Sequence, residues 1–233
     1  MGMKKQLVNV ALKTALFFKK GINYNNRFHN ENQKIINLGC GLHCLSNWVN
    51  VDGSLTALLG TKYTAINKFL YKIAGSSQYY AFDEFNDVIK NKKLYWYNLA
   101  YRVPFKSNSV DVVFTSHFLE HLDKEKGINF LEEIFRVLKD GGLLRIIVPD
   151  LDTAFRMYNE GNVDKMQDLF FYTSKDCDFS AHKYNYNFNT LKEKLSKIGF
   201  KNITKEGYLI GNCPDIKYLD VYPEHSLYVE AYK

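Results

Sequence analysis

The stretch Lys34-Ile-Ile-Asn-Leu-Gly-Cys-Gly-Leu-His-Cys-Leu-Ser-Asn-Trp-Val-Asn-Val-Asp52 decides the fold. Ile35, Ile36 and Leu38 form a short apolar run that stops at Gly39 and Gly41, the pattern of a buried central parallel strand. Glycine at those positions lets backbone approach a ligand that any Cβ would hold off. A second run, Trp48 to Val51, ends in Asp52, whose carboxylate can accept from both vicinal hydroxyls of a ribose at the carboxyl edge of a sheet. The stretch reads as strand, ligand loop, strand, and the ligand it suits is a nucleoside. A dinucleotide is less well served, because Cys44 occupies the third glycine position of that fingerprint and Asp52 comes early.

Reading outward, Gly53 to Lys93 has helical spacing in three pieces, Leu55–Leu59, Tyr63–Ile73 and Phe82–Ile89. That is long for one crossover, so about residues 54–93 hold an insertion near the site. Leu94–Leu99 and Val110–Ser116 read as a third and a fourth strand. Leu119–Leu138 reads as one helix closed by a glycine carboxyl cap at Asp140-Gly-Gly142, followed by a fifth strand over Leu143–Val148. Residues 152–187 are aromatic and irregular and would cap the site. After a helix over Asn189–Ile198, Asn202–Tyr208 and Ser226–Tyr232 form an antiparallel hairpin. The alternation predicts an α/β doubly wound, mostly parallel sheet over residues 34–233, preceded by a helix and loop over 1–33.

With 233 residues, 46% of them hydrophobic and 15% aromatic, the chain can bury one substantial core. The net charge of +6 comes from scattered lysines and arginines, so nucleic acid is not an expected partner. Cys40, Cys44, Cys177 and Cys213 lack disulfide-framework spacing and read as reduced thiols of a cytoplasmic protein. Residues 3–20 place Leu7, Val8, Ala11, Leu12, Ala15, Leu16 and Phe18 at helical spacing with lysines outside. The pattern fits an amphipathic helix lying peripherally on the inner membrane face, and fits equally a helix covering the sheet or site, the commoner use of such a stripe. The oligomeric state is not legible.

Several segments resemble, in order, the class I S-adenosylmethionine (SAM)-dependent methyltransferases of type 11. Asn37-Leu-Gly-Cys-Gly41 is similar to their motif I, with Asp52 in the place of the ribose-binding acid. Asn98 to Leu122 is similar to the run that closes in Leu-Glu-His, and Glu133 to Asp150 to the helix, Gly-Gly turn and fifth strand that follow. His182 to Phe200 and Ser226 to Lys233 resemble a compact bacterial branch found among surface-polysaccharide genes. The resemblance implies a Rossmann-like seven-stranded fold, SAM as cofactor and S-adenosylhomocysteine as product. It implies cofactor contacts from Asn37, Gly39, Cys40, Gly41, Asp52, Gly53, Asn98, Leu99 and Ser116, and methyl transfer to oxygen or nitrogen of a small polar acceptor, such as a sugar or glycan intermediate. Asn37 and Asn98 stand where many members carry acids, though either amide oxygen still accepts a hydrogen bond. Leu42 to Asn47 leaves no room for the usual helix between the first two strands.

Candidate bases follow from placement past the fourth strand. His117 and His121 lie four residues apart, on one face if helical, and His182 in the cap is a third candidate with Asp150 as partner. Each imidazole serves equally well as a structural hydrogen-bonding group, and Glu120 reads as a structural acceptor. His117-Phe-Leu-Glu-His121 also spells the H-x-x-E-H of a zinc hydrolase, but it follows a buried strand and lacks a third ligand on a partner helix, so no metal is assigned. Tyr158, Phe170, Phe171, Tyr172, Tyr184 and Tyr186 could stack on a sugar or simply pack. Two other functions fit the loop: a nucleoside-binding partner protein without transfer activity, and a nicotinamide-dependent oxidoreductase.

Overall fold

The computed structural model describes residues 2–28, 32–73, 76–78, 80–92, 94–171 and 181–233. Its centre is a seven-stranded sheet in the order β3-β2-β1-β4-β5-β7-β6. The strands are β1 (Ile35–Leu38), β2 (Val49–Asp52), β3 (Leu94–Trp96), β4 (Val110–Ser116), β5 (Leu138–Pro149), β6 (Lys201–Glu206) and β7 (Ser226–Tyr232). β1 to β5 pair in parallel, and β7 lies between β5 and β6, antiparallel to both. The short third strand ends before the predicted Leu99, because Asn98 starts a turn in which its side chain accepts from the Ala100 N–H at 3.1 Å.

Because strand side chains alternate, β1 feeds two cores. Ile36 and Leu38 join the larger one with Val113, Leu144, Ile146 and the apolar faces of α5 (Lys124–Val137) and α8 (Phe188–Ile198). Ile35 points the other way, to Trp48, Phe114, Ile147, Tyr228 and Leu219 of α9 (Ile216–Leu219). Between β2 and β3 come α2 (Leu55–Leu59), α3 (Thr64–Ile73) and α4 (Phe82–Asn91), which pack a smaller cluster around Leu70 and Phe85 beneath the Gly39 loop.

Two predicted features differ. Leu119–Leu138 is not one helix: a 3-10 turn over Leu119–His121 ends at extended Leu122, and α5 starts afresh because the Asp123 side chain accepts from the Lys126 N–H at 3.0 Å. The Gly-Gly pair is not a helix cap either. Val110 pairs with Leu138 and Val112 with Leu143, so Lys139–Gly142 loops out of β5, with Gly141 at φ 74°.

The second core holds a buried charge cluster. Arg145 of β5 is fully buried and donates to Asp220 from Nε and Nη2 (3.0 and 2.5 Å) and to Glu230 from Nη1 (3.0 Å). Nη1 and Nη2 also reach the carbonyls of Ile210 and Gly207 at 3.0 and 3.2 Å. The carboxylates in turn accept from the Leu209, Asn212 and Cys213 N–H groups. The cluster thereby anchors the 207–220 segment to the sheet.

The N-terminal helix α1 spans Gly2–Lys19 and packs beside α2. Ala11, Leu12, Ala15 and Leu16 are half-buried, as an apolar stripe facing the body requires, whereas Phe18, assigned to that stripe, is 77% exposed beside exposed Phe17. The side chains of Leu7 and Val8 lie outside the described residues. Among the described residues no helix is long and apolar enough to cross a membrane. Residues 152–187 are more regular than predicted: α6 (Leu151–Asn159) and α7 (Val163–Phe170) occupy most of the described part, while Tyr172 and Cys177 lie outside it. Cys40, Cys44 and Cys213 are buried free thiols.

Candidate active site

The strand order reverses between β1 and β4, and their carboxyl ends open there into the crevice where doubly wound sheets bind ligands. Gly39 leaves β1 at φ 67° and its N–H donates to the Val51 carbonyl at 2.9 Å, which holds the loop against β2. A Cβ at Gly39 would sit 2.4 Å from Cγ of Phe118, a ring that closes over the loop from β4. Gly39→Ala is therefore expected to cost about 1–3 kcal/mol by overpacking at a left-handed position, read as a lower midpoint of chemical unfolding. An unchanged midpoint would show that Phe118 does not seat on the glycine.

Asp52 closes the same loop from the other side. Its Oδ2 accepts from the Gly41 N–H at 2.9 Å and its Oδ1 from the Ser54 N–H at 2.7 Å. A carboxylate has about four acceptor sites, so two remain for a ligand. Gly53 packs under β3, its carbonyl accepting from Trp96 Nε1 at 3.1 Å. Burial and the adjacent Cys44, whose Sγ is 3.7 Å away, push the Cys40 thiol well above the ordinary thiol range, so it stays protonated.

Other predicted cofactor residues are placed differently. Asn37 is buried and donates from Nδ2 to the His43 carbonyl at 2.9 Å, which braces the loop. The Leu99 side chain belongs to the main core, which leaves only its backbone for contact. Asn98 is half-buried at the edge, and Ser116 ends β4 with its Oγ buried and unpartnered.

Past β4 the histidines meet around Glu120, a side chain with no exposure. His117 is not helical: it sits at φ 49°, its Nδ1 3.3 Å from Glu120 Oε1, its Nε2 3.1 Å from Ser226 Oγ and its ring packed against that of Tyr222, centroids 4.3 Å apart and planes tilted by 56°. His121 and His182 approach the same oxygen through Nε2, at 4.0 and 3.9 Å. Asp150 does not partner His182; its carboxylate caps α6 by accepting from the Asp152 N–H at 3.2 Å, and His182 Nδ1 donates instead to the Leu169 carbonyl at 2.9 Å. Burial would raise the Glu120 pKa, but the His117 contact and the charges of His117 and His121 outweigh it and hold the carboxyl below its ordinary value. Burial likewise pushes His182 below 6.5, the neighbouring Glu120 opposing it. No hydrogen bond of ordinary geometry reaches either carboxylate oxygen of Glu120, which His117 meets as an ion-pair contact.

Of the aromatics expected to meet an acceptor, Tyr186 is buried, its ring packed 4.9 Å from that of Tyr184, and Tyr158 and Phe171 are exposed. Phe118, Tyr222 and Ser226 were not foreseen, because each reaches the site only through tertiary packing.

Residues 37–146 match the methyltransferase domain family. No curated protein matches the sequence. Among solved structures, the chain is similar to a SAM-dependent methyltransferase from Thermotoga maritima described as a possible histamine N-methyltransferase, at 14% identity over 96% of each chain and a TM-score of 0.50. A SAM-dependent methyltransferase from Archaeoglobus fulgidus aligns at 16% identity over 98% of this chain and 94% of that one, with a TM-score of 0.48. A phosphoethanolamine N-methyltransferase from Haemonchus contortus, in complex with SAM, aligns at 16% identity over 89% of this chain and 50% of its own, with a TM-score of 0.46. Residues 37–146 thus match a methyltransferase domain, and they lie on a seven-stranded sheet with the class I methyltransferase fold, the glycine loop at its switch point.

Proposed function

We propose that the protein transfers the SAM methyl group to an oxygen or nitrogen of a small polar acceptor, with a sugar or glycan intermediate as the first class to test. The observation that carries the reading is the Asp52 clamp on the Gly41 N–H at the switch point, within the matched domain. Asp52 retains acceptor capacity for the ribose, and the loop backbone, without side chains at Gly39 and Gly41, admits the cofactor closely. Holding donor and acceptor in line in a crevice that excludes water supplies most of the rate enhancement such a transfer needs. The acceptor's proton falls to the cluster around Glu120, with His121 and His182 as the candidate bases and burial disfavouring the protonated form of His182. His117, with both ring nitrogens engaged, orients Glu120.

The test is transfer of labelled methyl from SAM to a panel of nucleotide sugars, oligosaccharides and small amines. Transfer to a member of the panel supports the reading; SAM binding without transfer to any acceptor favours the nucleoside-binding partner protein, which the bracing role of Asn37 suits. For an active acceptor, kcat/KM is expected to hold as pH falls through 6.5, the ordinary imidazole value, and to drop only below it, because the buried His182 resists protonation. An acid limb at or above that value sinks the role of His182. Loss of activity in His182→Asn at every pH supports it.

A further inference from the structure

Three ligand atoms converge beside the crevice in a way that methyl transfer does not require. His121 Nδ1 lies 3.2 Å from the Ala181 carbonyl and His182 Nδ1 2.9 Å from the Leu169 carbonyl. A carbonyl only accepts, so each Nδ1 carries the ring proton and each Nε2 of a neutral ring presents a lone pair. Those two lone pairs and the carboxylate of Glu120 face one another, all within 4.8 Å. Glu120 is buried, no hydrogen bond of ordinary geometry reaches either oxygen, and its contacts are imidazole nitrogens at 3.3–4.0 Å, an arrangement that a cation held between the carboxylate and the two Nε2 atoms would stabilise.

The geometry points to a divalent transition-metal site made by Glu120, His121 and His182. Two imidazoles with one carboxylate form a donor set suited to zinc, cobalt or iron(II) rather than magnesium or calcium, and three protein ligands leave a coordination position open. Fixing each ring through an N–H bond to a backbone carbonyl is the outer-shell arrangement that orients histidine ligands. The Nε2 atoms stand 4.0 and 3.9 Å from Oε1, against about 3.3 Å between ligands of a tetrahedral ion with ~2.0 Å bonds, so each atom draws in by a few tenths of an ångström. This is not the pairing of the literal H-x-x-E-H motif. His117 faces the carboxylate and Ser226 instead, and the third ligand comes from the cap, 61 residues beyond His121 in sequence. A bound ion would tie His182 to Glu120 at the edge of the crevice, would occupy the Nε2 lone pairs that serve as base in the metal-free chain, and would offer its open position to an acceptor hydroxyl or amine.

The test uses the full chain, stripped with chelator and titrated with Co2+ in the absence of SAM, so that it stands apart from the question of transfer. One equivalent per chain is expected, with the intense visible absorption of four-coordinate cobalt, displaced by Zn2+. Glu120→Gln and His182→Asn should each weaken uptake by at least the 10- to 100-fold typical of outer-shell losses, with His225→Ala, an exposed histidine elsewhere, binding as the parent does. Far-ultraviolet circular dichroism of the stripped variants confirms folding, and His121→Asn serves if Glu120→Gln does not fold. No stoichiometric uptake by the parent chain overturns the site. Undiminished uptake by folded variants would place the ion elsewhere and overturn it equally.

Discussion

Replacing Arg145 with alanine is expected to destabilise the fold by about 3–5 kcal/mol, the cost of leaving buried charges without their partner. For a chain of this size that lowers the thermal midpoint by roughly 6–20 °C, at ~2–4 °C per kcal/mol. The reason is the completeness of the network: Arg145 meets two carboxylates and two carbonyls with no exposure to water, so its removal strands Asp220 and Glu230 in the second core. A purely hydrophobic replacement, Arg145→Met with Asp220→Leu and Glu230→Leu, should recover only part of the loss. The Leu209, Asn212 and Cys213 N–H groups would lose their acceptors. Differential scanning calorimetry decides it, and full recovery in the triple variant would show that those backbone groups find other partners.

Asp52→Ala should abolish SAM and S-adenosylhomocysteine binding in the micromolar range. Hydrogen bonds to a charged group are worth about 1.5–3 kcal/mol each, so losing the two proposed ribose contacts predicts a rise in Kd of about 100-fold or more, at tenfold per ~1.4 kcal/mol. The loop contributes to the same effect, since the Gly41 and Ser54 N–H groups lose their shared acceptor. Asp52→Asn keeps one acceptor oxygen and should lose less. Isothermal titration with S-adenosylhomocysteine separates these outcomes, and parent-like affinity in the alanine variant would remove Asp52 from the cofactor site.

The strand–loop–strand edge at the switch point was legible because it is local. A buried run, two glycines and a terminal acid within 19 residues, Lys34 to Asp52, can be read without knowing what packs on them. The stretch after β4 was misread for a physical reason: the apolar periodicity from Leu119 to Leu138 is helical, yet Asp123 competes for the Lys126 N–H and restarts the helix. Asp123 ahead of Lys-Glu-Lys was the available signal, an N-cap residue inside a helical pattern. Asp150 carried the same signal and was assigned to His182 instead. Arg145, a charge within an apolar strand run, is a signal that went unread, and nothing local identifies Asp220 as its partner. The Glu120 cluster was beyond local reading altogether, since its geometry depends on where the cap returns to the sheet.

The position of β7 has a consequence for how the chain is made. On the ribosome, β1 to β5 can assemble in the order they emerge, because each parallel strand joins one already present. β6 cannot: its only neighbour in the sheet is β7, so Lys201–Glu206 stays an unpaired edge until Ser226–Tyr232 has left the exit tunnel and slotted against β5. Until then the apolar flank of β5 is open, and that interval is when the nascent protein most needs a chaperone.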